Sequence, residues 1–92
     1  MNVLQKHTAS CVTLKERNVQ YRGLSLGYRL RAICDGRSTR YAVEVRLNGR
    51  ERACAALGND IETALAHFHA ICRGAVTPCT LSEVVYEMQI GN

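Results

Sequence analysis

The sequence has few aromatic residues: there is no tryptophan and a single phenylalanine among its 92 residues, and only one proline. Apolar residues nevertheless make up 47% of the chain and charged residues 22%. This composition is typical of a globular domain and excludes a disordered or fibrous chain. A chain of this length is too short for two independent hydrophobic cores. The sequence therefore predicts one domain that covers residues 1–92.

Long hydrophobic runs are also missing. No apolar stretch approaches the roughly 20 residues that a helix needs to span a bilayer. The first ten residues, MNVLQKHTAS, lack the apolar segment and the cleavage site of a secretory signal peptide. We therefore expect no membrane association and a cytoplasmic location.

Cysteine is present, but not in a pattern that forms a metal site or a redox motif. The cysteines are five in number, and no two of them form a Cys-x-x-Cys pair. Their irregular spacing is unlike that of a zinc ribbon. In a reducing compartment such residues behave as small apolar side chains. We expect this of Cys11, Cys34, Cys54, Cys72 and Cys79.

The residue types that carry catalysis in enzymes form no recognisable constellation. His67 and His69 fall in a predicted helix, where they point about 200° apart and cannot converge on one metal ion. Asp35 and Glu44 are predicted to lie at a turn and on an outward face, so they do not form a catalytic pair. No glycine-rich phosphate loop is present. The sequence therefore predicts no enzyme activity, no metal and no cofactor.

The central part of the chain, residues 24–57, is predicted to form β-strands. Apolar residues alternate there with polar ones, which is typical of strands with one buried face, and Asp35-Gly36 and Asn48-Gly49 mark the turns. In the second hairpin a loop with one extra residue, as in a type I turn with a glycine bulge, keeps the apolar residues on one face. This register pairs Leu47 with Glu51, Val45 with Ala53, Val43 with Ala55 and Tyr41 with Leu57.

Two helices are predicted in residues 59–90. Asn59 and Glu62 form a start that resembles a capping box, and Gly74 is a natural stop. The second helix is predicted to begin at Thr80, whose side chain caps it together with Glu83. The apolar residues with helical spacing are Ile61, Ala64, Leu65, Phe68 and Ile71 or Cys72 in the first helix, and Leu81, Val84, Val85 and Met88 in the second.

The N-terminal segment, residues 1–22, is the least informative part of the chain. Its SCVTLKE stretch has the β-branched and apolar residues of a short strand, and the following RNVQYRG is predicted to be a turn or loop. The order of elements predicts an α+β fold: an antiparallel meander of three to four strands with two C-terminal helices packed on one face.

Charge is segregated along the chain. Residues 22–52 contain eight arginines and three acidic residues, a net charge of +5, whereas residues 58–92 have a net charge of −3. By strand alternation, six of the arginines are predicted to line the outer face of the sheet, away from the helices. These six are Arg29, Arg31, Arg40, Arg46, Arg50 and Arg52.

An arginine-rich face suits carboxylates or phosphates, because the guanidinium group offers a planar fork of donors. The predicted function is therefore a non-enzymatic protein-interaction or self-association module, with a homodimer or an acidic protein as the partner. The alternative is a nucleic-acid-binding module, although Tyr28 and Tyr41 are predicted to face the core and leave no aromatic among the arginines to stack on bases. The simplest interpretation is a solvated outer face that keeps the protein soluble.

Several short stretches in order along the chain are similar to those of a known family. They are YRL at 28–30, YAVEV at 41–45, ERACA at 51–55, AL at 64–65 and, most specific, TPCTLSEVV at 77–85. Over residues 24–88 the chain resembles a family of small bacterial proteins, from anaerobic Gram-positive bacteria, that is classed as a domain of unknown function. The resemblance implies a short cytosolic protein and carries over no catalytic residues.

Overall fold

The structure, a computed structural model, describes residues 10–90. It contains a four-stranded antiparallel sheet in the order β1-β2-β3-β4, followed by helices. The strands are β1 (Ser10–Tyr21), β2 (Leu24–Asp35), β3 (Ser38–Leu47) and β4 (Glu51–Gly58), and the helices are α1 (Ile61–Arg73), a 3-10 turn (Pro78–Thr80) and α2 (Leu81–Ile90). The predicted α+β fold is confirmed, with four strands in a meander.

The first strand is longer than the sequence predicts. Residues 17–21 are not a loop: β1 runs to Tyr21, and only Arg22 and Gly23 form the turn to β2. Both turn residues have positive φ angles, 54° and 81°, as in the type I′ turns that join twisted strands. Residues 1–9 of the predicted N-terminal segment lie outside the described residues.

The second hairpin has the predicted register over most of its length. Leu47 lies opposite Glu51, and the next inner-face pairs are Val45–Ala53 and Val43–Ala55. The predicted Tyr41–Leu57 pair is wrong, because an irregularity shifts the ladder and places Gly58 opposite Tyr41. The predicted turn type is also wrong, since Asn48 and Gly49 both have positive φ angles, 54° and 71°, as in a type I′ turn.

The core lies between the inner face of the sheet and the two helices. α1 packs against β2, β3 and β4, and α2 packs against β4. The largest fully buried side chains are Tyr28, Phe68, Leu26, Leu30, Leu57, Ile71, Leu81, Val43 and Val45. Ile61, which the helical spacing assigns to the core, is 37% exposed. Within the described residues, no helix has the length and apolar character needed to cross a membrane.

The start of α1 differs from the prediction by one residue. Asp60, not Asn59, is the N-cap, and its carboxylate accepts hydrogen bonds from the backbone N–H of Thr63 at 2.9 Å and from the Thr63 hydroxyl at 2.7 Å. These two bonds lower the pKa of Asp60, the hydroxyl having the larger effect. Gly74 ends the helix, as predicted.

The start of α2 also differs from the prediction. Thr80 is the last residue of the 3-10 turn, and its hydroxyl donates to the carbonyl oxygen of Thr77 at 3.3 Å. It therefore does not act with Glu83 as the predicted capping box. Pro78 occupies the first position of the 3-10 turn, where its missing N–H removes no helical hydrogen bond.

Candidate functional site

The face of the sheet opposite the helices, hereafter the outer face, displays arginine side chains. Residues directly opposite each other on neighbouring strands share a face, and the register pairs Arg29 with Glu44 and Arg46 with Arg52. By the same alternation Arg31 and Arg40 belong to this face. The prediction is wrong for Arg50, which lies in the turn before β4.

Four of these arginines converge on one carboxylate. Glu44 is only 3% exposed, although none of the helices in residues 10–90 covers the outer face. Its closest partner is Arg31, whose Nη2 lies 2.7 Å from Oε1. The other contacts to Glu44 are longer: Arg52 Nη1 at 3.4 Å, Arg46 Nε at 3.5 Å and Arg29 Nη1 at 3.9 Å. We call Glu44 and these four arginines the Glu44 cluster.

The cluster keeps an excess of positive charge. Arg29 also forms a 2.7 Å ion pair with Glu16 of β1, so four guanidinium groups face two carboxylates. The arginine side chains remain 31% to 63% exposed, and each pair is therefore screened by water and contributes little alone. Arg31 Nε is buried and has no hydrogen-bond partner within residues 10–90. The donors in the cluster thus outnumber the acceptors.

A shallow depression of about 290 Å³ lies beside the cluster. Gly27 lies on the outer face between Asn18 of β1 and Arg46 of β3, and the absence of a side chain there opens the surface. A Cβ at this position would come within 3.4 Å of Oδ1 of Asn18. Arg29 and Arg46 line the same depression, so two guanidinium groups of the cluster are accessible from it.

The two histidines lie apart, as the helical spacing predicts. His67 lines a hollow with Asp60 and Thr63, whereas His69 lines a different groove, with Arg17 and Cys72. Within residues 10–90, no group of three or more His, Cys, Asp or Glu residues could hold a metal ion.

The cysteines differ in exposure. All five are free, and only Cys72 is buried. Burial raises the pKa of the Cys72 thiol, an effect that the nearby Arg17 opposes. The other four are exposed, and Cys54 lies on the outer face opposite Glu44. The expectation that these residues behave as small apolar side chains stays a prediction.

Tyr28 is buried beneath the cluster on the opposite face of β2. Its hydroxyl donates to the carbonyl oxygen of Val76 at 2.9 Å and ties the sheet to the segment between the helices. Burial, with a smaller effect from Cys72, raises the pKa of Tyr28 to about 12. The tyrosine that the sequence assigns to the core is therefore part of the scaffold beneath the outer face.

The sequence predicts the arginines of the outer face, but it places Glu44 on an outward face without a role. The feature of the sequence that could have indicated its role is the β2–β3 register. In this register Glu44 lies opposite Arg29, and Arg31 lies opposite Ala42, the neighbouring residue on the same face of β3. Comparison with known proteins adds no assignment: no family model, curated protein or solved structure matches this chain. The resemblance to a family of small bacterial proteins stays a prediction.

Proposed function

We propose that this chain is a non-enzymatic protein-interaction module that binds an acidic segment of a partner protein on its outer face. The observation that carries the proposal is the Glu44 cluster, in which one buried carboxylate contacts four guanidinium groups on the sheet face opposite the described helices. Arginine is enriched at protein interfaces, and its donor fork binds carboxylates with two parallel hydrogen bonds.

The distances within the cluster divide the arginines by role. Arg31 makes the short contact to Glu44 and stays with it as a positioning residue. Arg46 and Arg52 make longer contacts of 3.5 Å and 3.4 Å and are 40% and 63% exposed. Because their contacts to Glu44 are long and exposed to water, these two guanidinium groups lose little interaction energy when they turn outward to bind carboxylates of the partner.

The surroundings of the cluster favour a protein over a nucleic acid. Ala42, Cys54 and Ala56 lie on the same face near Glu44 and give small apolar contacts around the charges. The strand register places no aromatic side chain of the described residues on this face, and single-stranded nucleic acids normally stack their bases on such side chains.

The cytoplasmic location is part of the proposal. All five cysteines are free, and four of them are exposed, which suits a reducing compartment. Assignment to the family of small bacterial proteins is likewise proposed, on the motifs of residues 24–88.

The proposal is tested by titrating the protein into a fluorescein-labelled peptide of alternating Asp and Glu residues and following the anisotropy. The wild-type protein should bind, and raising the salt concentration should weaken binding because the contacts are ionic. Arg46→Glu with Arg52→Glu should weaken binding by about tenfold or more, since it replaces attraction with repulsion. Gly27→Ala, which adds one methyl group to the depression without changing charge, should weaken it less.

The matched control is Arg22→Glu with Arg37→Glu, which makes the same change of net charge at two turns away from the cluster. It should bind the peptide nearly as well as the wild type. Equal losses in the two double variants would show that net charge alone attracts the peptide and would refute a site. Tighter binding of a single-stranded RNA or a DNA duplex at the same salt concentration, with a steep salt dependence, would favour the nucleic-acid alternative.

A further inference from the structure

The two edges of the sheet differ in how well they are protected against pairing with another strand. β1 has features that oppose such pairing: its ladder with β2 is interrupted between Thr13 and Lys15, and Lys15, Glu16 and Arg17 are charged. Bulges and charges on an edge strand both discourage the addition of a further strand. Residues 53–56 of β4 are only alanine and cysteine. β4 is therefore the less protected edge.

The backbone of β4 presents hydrogen-bonding groups along this edge. In an antiparallel ladder, pairs that exchange hydrogen bonds alternate with pairs whose N–H and C=O groups point away. The carbonyl oxygen of Ala56 accepts a hydrogen bond from Nε2 of Gln89 at 3.2 Å, so Ala56 belongs to a pair of the second kind. Cys54 and Arg52 lie two and four residues earlier and point the same way. Within residues 10–90, Gln89 is the only residue that forms a hydrogen bond with this row.

The helix α2 lies above this edge and forms a wall over it. It packs on β4, and its buried residues are Leu81 and Val85. Gln89 reaches the edge from one flank of the helix, and Tyr86, three residues earlier, lies on the same flank. The Tyr86 side chain is 64% exposed. A strand added beside β4 would therefore lie beneath Tyr86.

The opposite side of the same edge is basic. The Arg52 side chain belongs to the outer face and is 63% exposed, and Arg50 lies in the turn at the same end of β4. A carboxylate opposite Arg52 on an added strand would share its face and could pair with its guanidinium group. The neighbouring residues of that strand would point to the other side, beneath Tyr86 and beside Ala53 and Ala55. The edge thus favours a strand in which acidic and apolar residues alternate.

We propose that β4 accepts an extended segment of a partner protein as a fifth strand, with acidic side chains on the outer face and apolar side chains beneath α2. Backbone hydrogen bonds to Arg52 and Cys54 supply affinity, and the alternating side chains supply specificity. Gln89 and the irregularity of the ladder beyond Ala56 end the paired stretch. This site goes beyond the one proposed on the outer face, because an entirely acidic segment would bury carboxylates beneath α2.

A second copy of this chain does not fit the β4 edge. Pairing of two β4 strands about an axis normal to the sheet would place both α2 helices on the same side. Because α2 lies above β4 in each copy, the two helices would be separated by about one strand spacing, roughly 5 Å. Packed helices need about 8–10 Å between their axes. A single extended segment has no helix of its own to collide with α2.

The test is fluorescence anisotropy with a labelled peptide of seven residues in which Glu and Val alternate. Its isomer, in which the four Glu precede the three Val, is the control. The wild-type protein should bind the alternating peptide about tenfold more tightly or better, because only this peptide places every carboxylate on one side of an extended strand.

Methylation of the peptide's backbone nitrogens tests strand addition directly. Alternate N–H groups of a paired strand face β4, and the others face solvent. Methylation of one alternate set should therefore weaken binding about tenfold or more, whereas methylation of the other set should have little effect. This measurement uses the unaltered protein, so it does not depend on the folding of a variant.

Three variants test the place of the peptide beneath α2. Tyr86→Ala should weaken binding of the alternating peptide several-fold, and Tyr86→Phe should preserve it, because the ring rather than the hydroxyl covers the strand. Tyr21→Ala removes an exposed tyrosine from the opposite edge strand and should bind like the wild type.

The outcomes separate this proposal from the one for the outer face. No binding of the alternating peptide, equal binding of its isomer, equal effects of the two methylated sets or an unaffected Tyr86→Ala variant would each overturn the fifth strand. Binding of the Asp and Glu peptide that is lost in Arg46→Glu with Arg52→Glu would still uphold the outer-face site. Failure of that peptide to bind, with the alternating peptide bound in the expected way, would refute the outer-face site and leave the fifth strand in place.

Discussion

The two faces of the sheet bury their side chains by different means. Three consecutive residues of β3 show the contrast: Val43 and Val45 are fully buried on the inner face, and Glu44 between them is 3% exposed on the outer face. The helices cover the two valines, whereas arginine side chains from β2, β3 and β4 surround the glutamate. One strand thus stabilises a hydrophobic core on one side and organises an ionic surface on the other.

The difference matters because the two kinds of burial respond differently to change. Apolar burial depends on filled volume and involves no charge that salt could screen, whereas ion pairs that remain partly exposed are screened by salt and can exchange partners. The inner face is therefore suited to holding the fold, and the outer face is suited to binding.

The largest expected effect is the loss of core volume under the inner face. Phe68→Ala should lower the free energy of unfolding by about 3–5 kcal/mol, because it leaves a cavity around a fully buried ring. Urea unfolding followed by circular dichroism measures this change. Ile33→Ala removes a partly buried apolar side chain from the outer face and should cost about 1 kcal/mol or less. Equal losses would remove the distinction between the two faces.

The second largest effect on stability is expected when the central carboxylate of the Glu44 cluster is removed. Glu44→Gln keeps the shape but leaves the four arginines without their shared anion, so the free energy of unfolding should fall by about 2 kcal/mol. The loss is smaller than for a fully buried pair because the arginines can turn toward water. Added salt should reduce the deficit, since it screens repulsion among the arginines.

Glu51→Gln is the control for that measurement. Glu51 is exposed at the start of β4, so the same change of charge there should leave stability nearly unchanged. An equally stable Glu44→Gln variant would mean that the cluster is not held by its carboxylate.

A smaller effect is expected at the hydrogen bond between the inner face and the segment after α1. Tyr28→Phe leaves the Val76 carbonyl oxygen without its 2.9 Å donor and should cost about 1 kcal/mol. The raised pKa of Tyr28, about 12 against an ordinary 10.0, gives a stabilising contribution that is complete below pH 10 and is lost as the pH rises toward 12. The wild type should therefore lose stability over this range more steeply than Tyr28→Phe, and parallel losses would contradict the assignment.

The smallest effect is expected at the start of α1. Asp60→Ala should lower the Tm slightly, whereas Asn59→Ala should leave it unchanged, because only Asp60 accepts the cap bonds from Thr63. The lowered pKa of Asp60 gives stability that is present above its ordinary value of 3.8 and is lost as the pH falls below it. The difference in Tm between the wild type and Asp60→Ala should therefore disappear in strong acid. The reverse ranking of the two variants would restore Asn59 as the cap.

The predictions from sequence succeed where one face of an element is buried. β2 and β3 alternate clearly because their inner side chains meet the helices, and this alternation fixes the register and the face of Arg29 and Arg46. β1 is missed beyond residue 16 because it lies at an edge of the sheet with both faces largely exposed. Without a buried face, its apolar and polar residues need not alternate. The cap of α1 is missed by one residue because Asn59 and Asp60 are both good N-caps.

The candidate site is predicted only in part for a similar reason. Strand alternation gives the direction of a side chain but not its neighbours across the sheet, so it identifies an arginine-rich face without the Glu44 cluster. The role of Glu44 depends on contacts from three strands, which the pattern along one strand does not contain.

The most direct test of the outer face as a binding surface is an NMR titration with the acidic peptide. The arginine Nε–Hε signals and the backbone amides of β2, β3 and β4 are followed as the peptide is added. The largest changes should occur at Arg46 and Arg52 and at the amides around Gly27, with α1 and α2 nearly unchanged. Changes concentrated on the helices, or spread over every exposed arginine including Arg22 and Arg37, would contradict a binding site on the outer face.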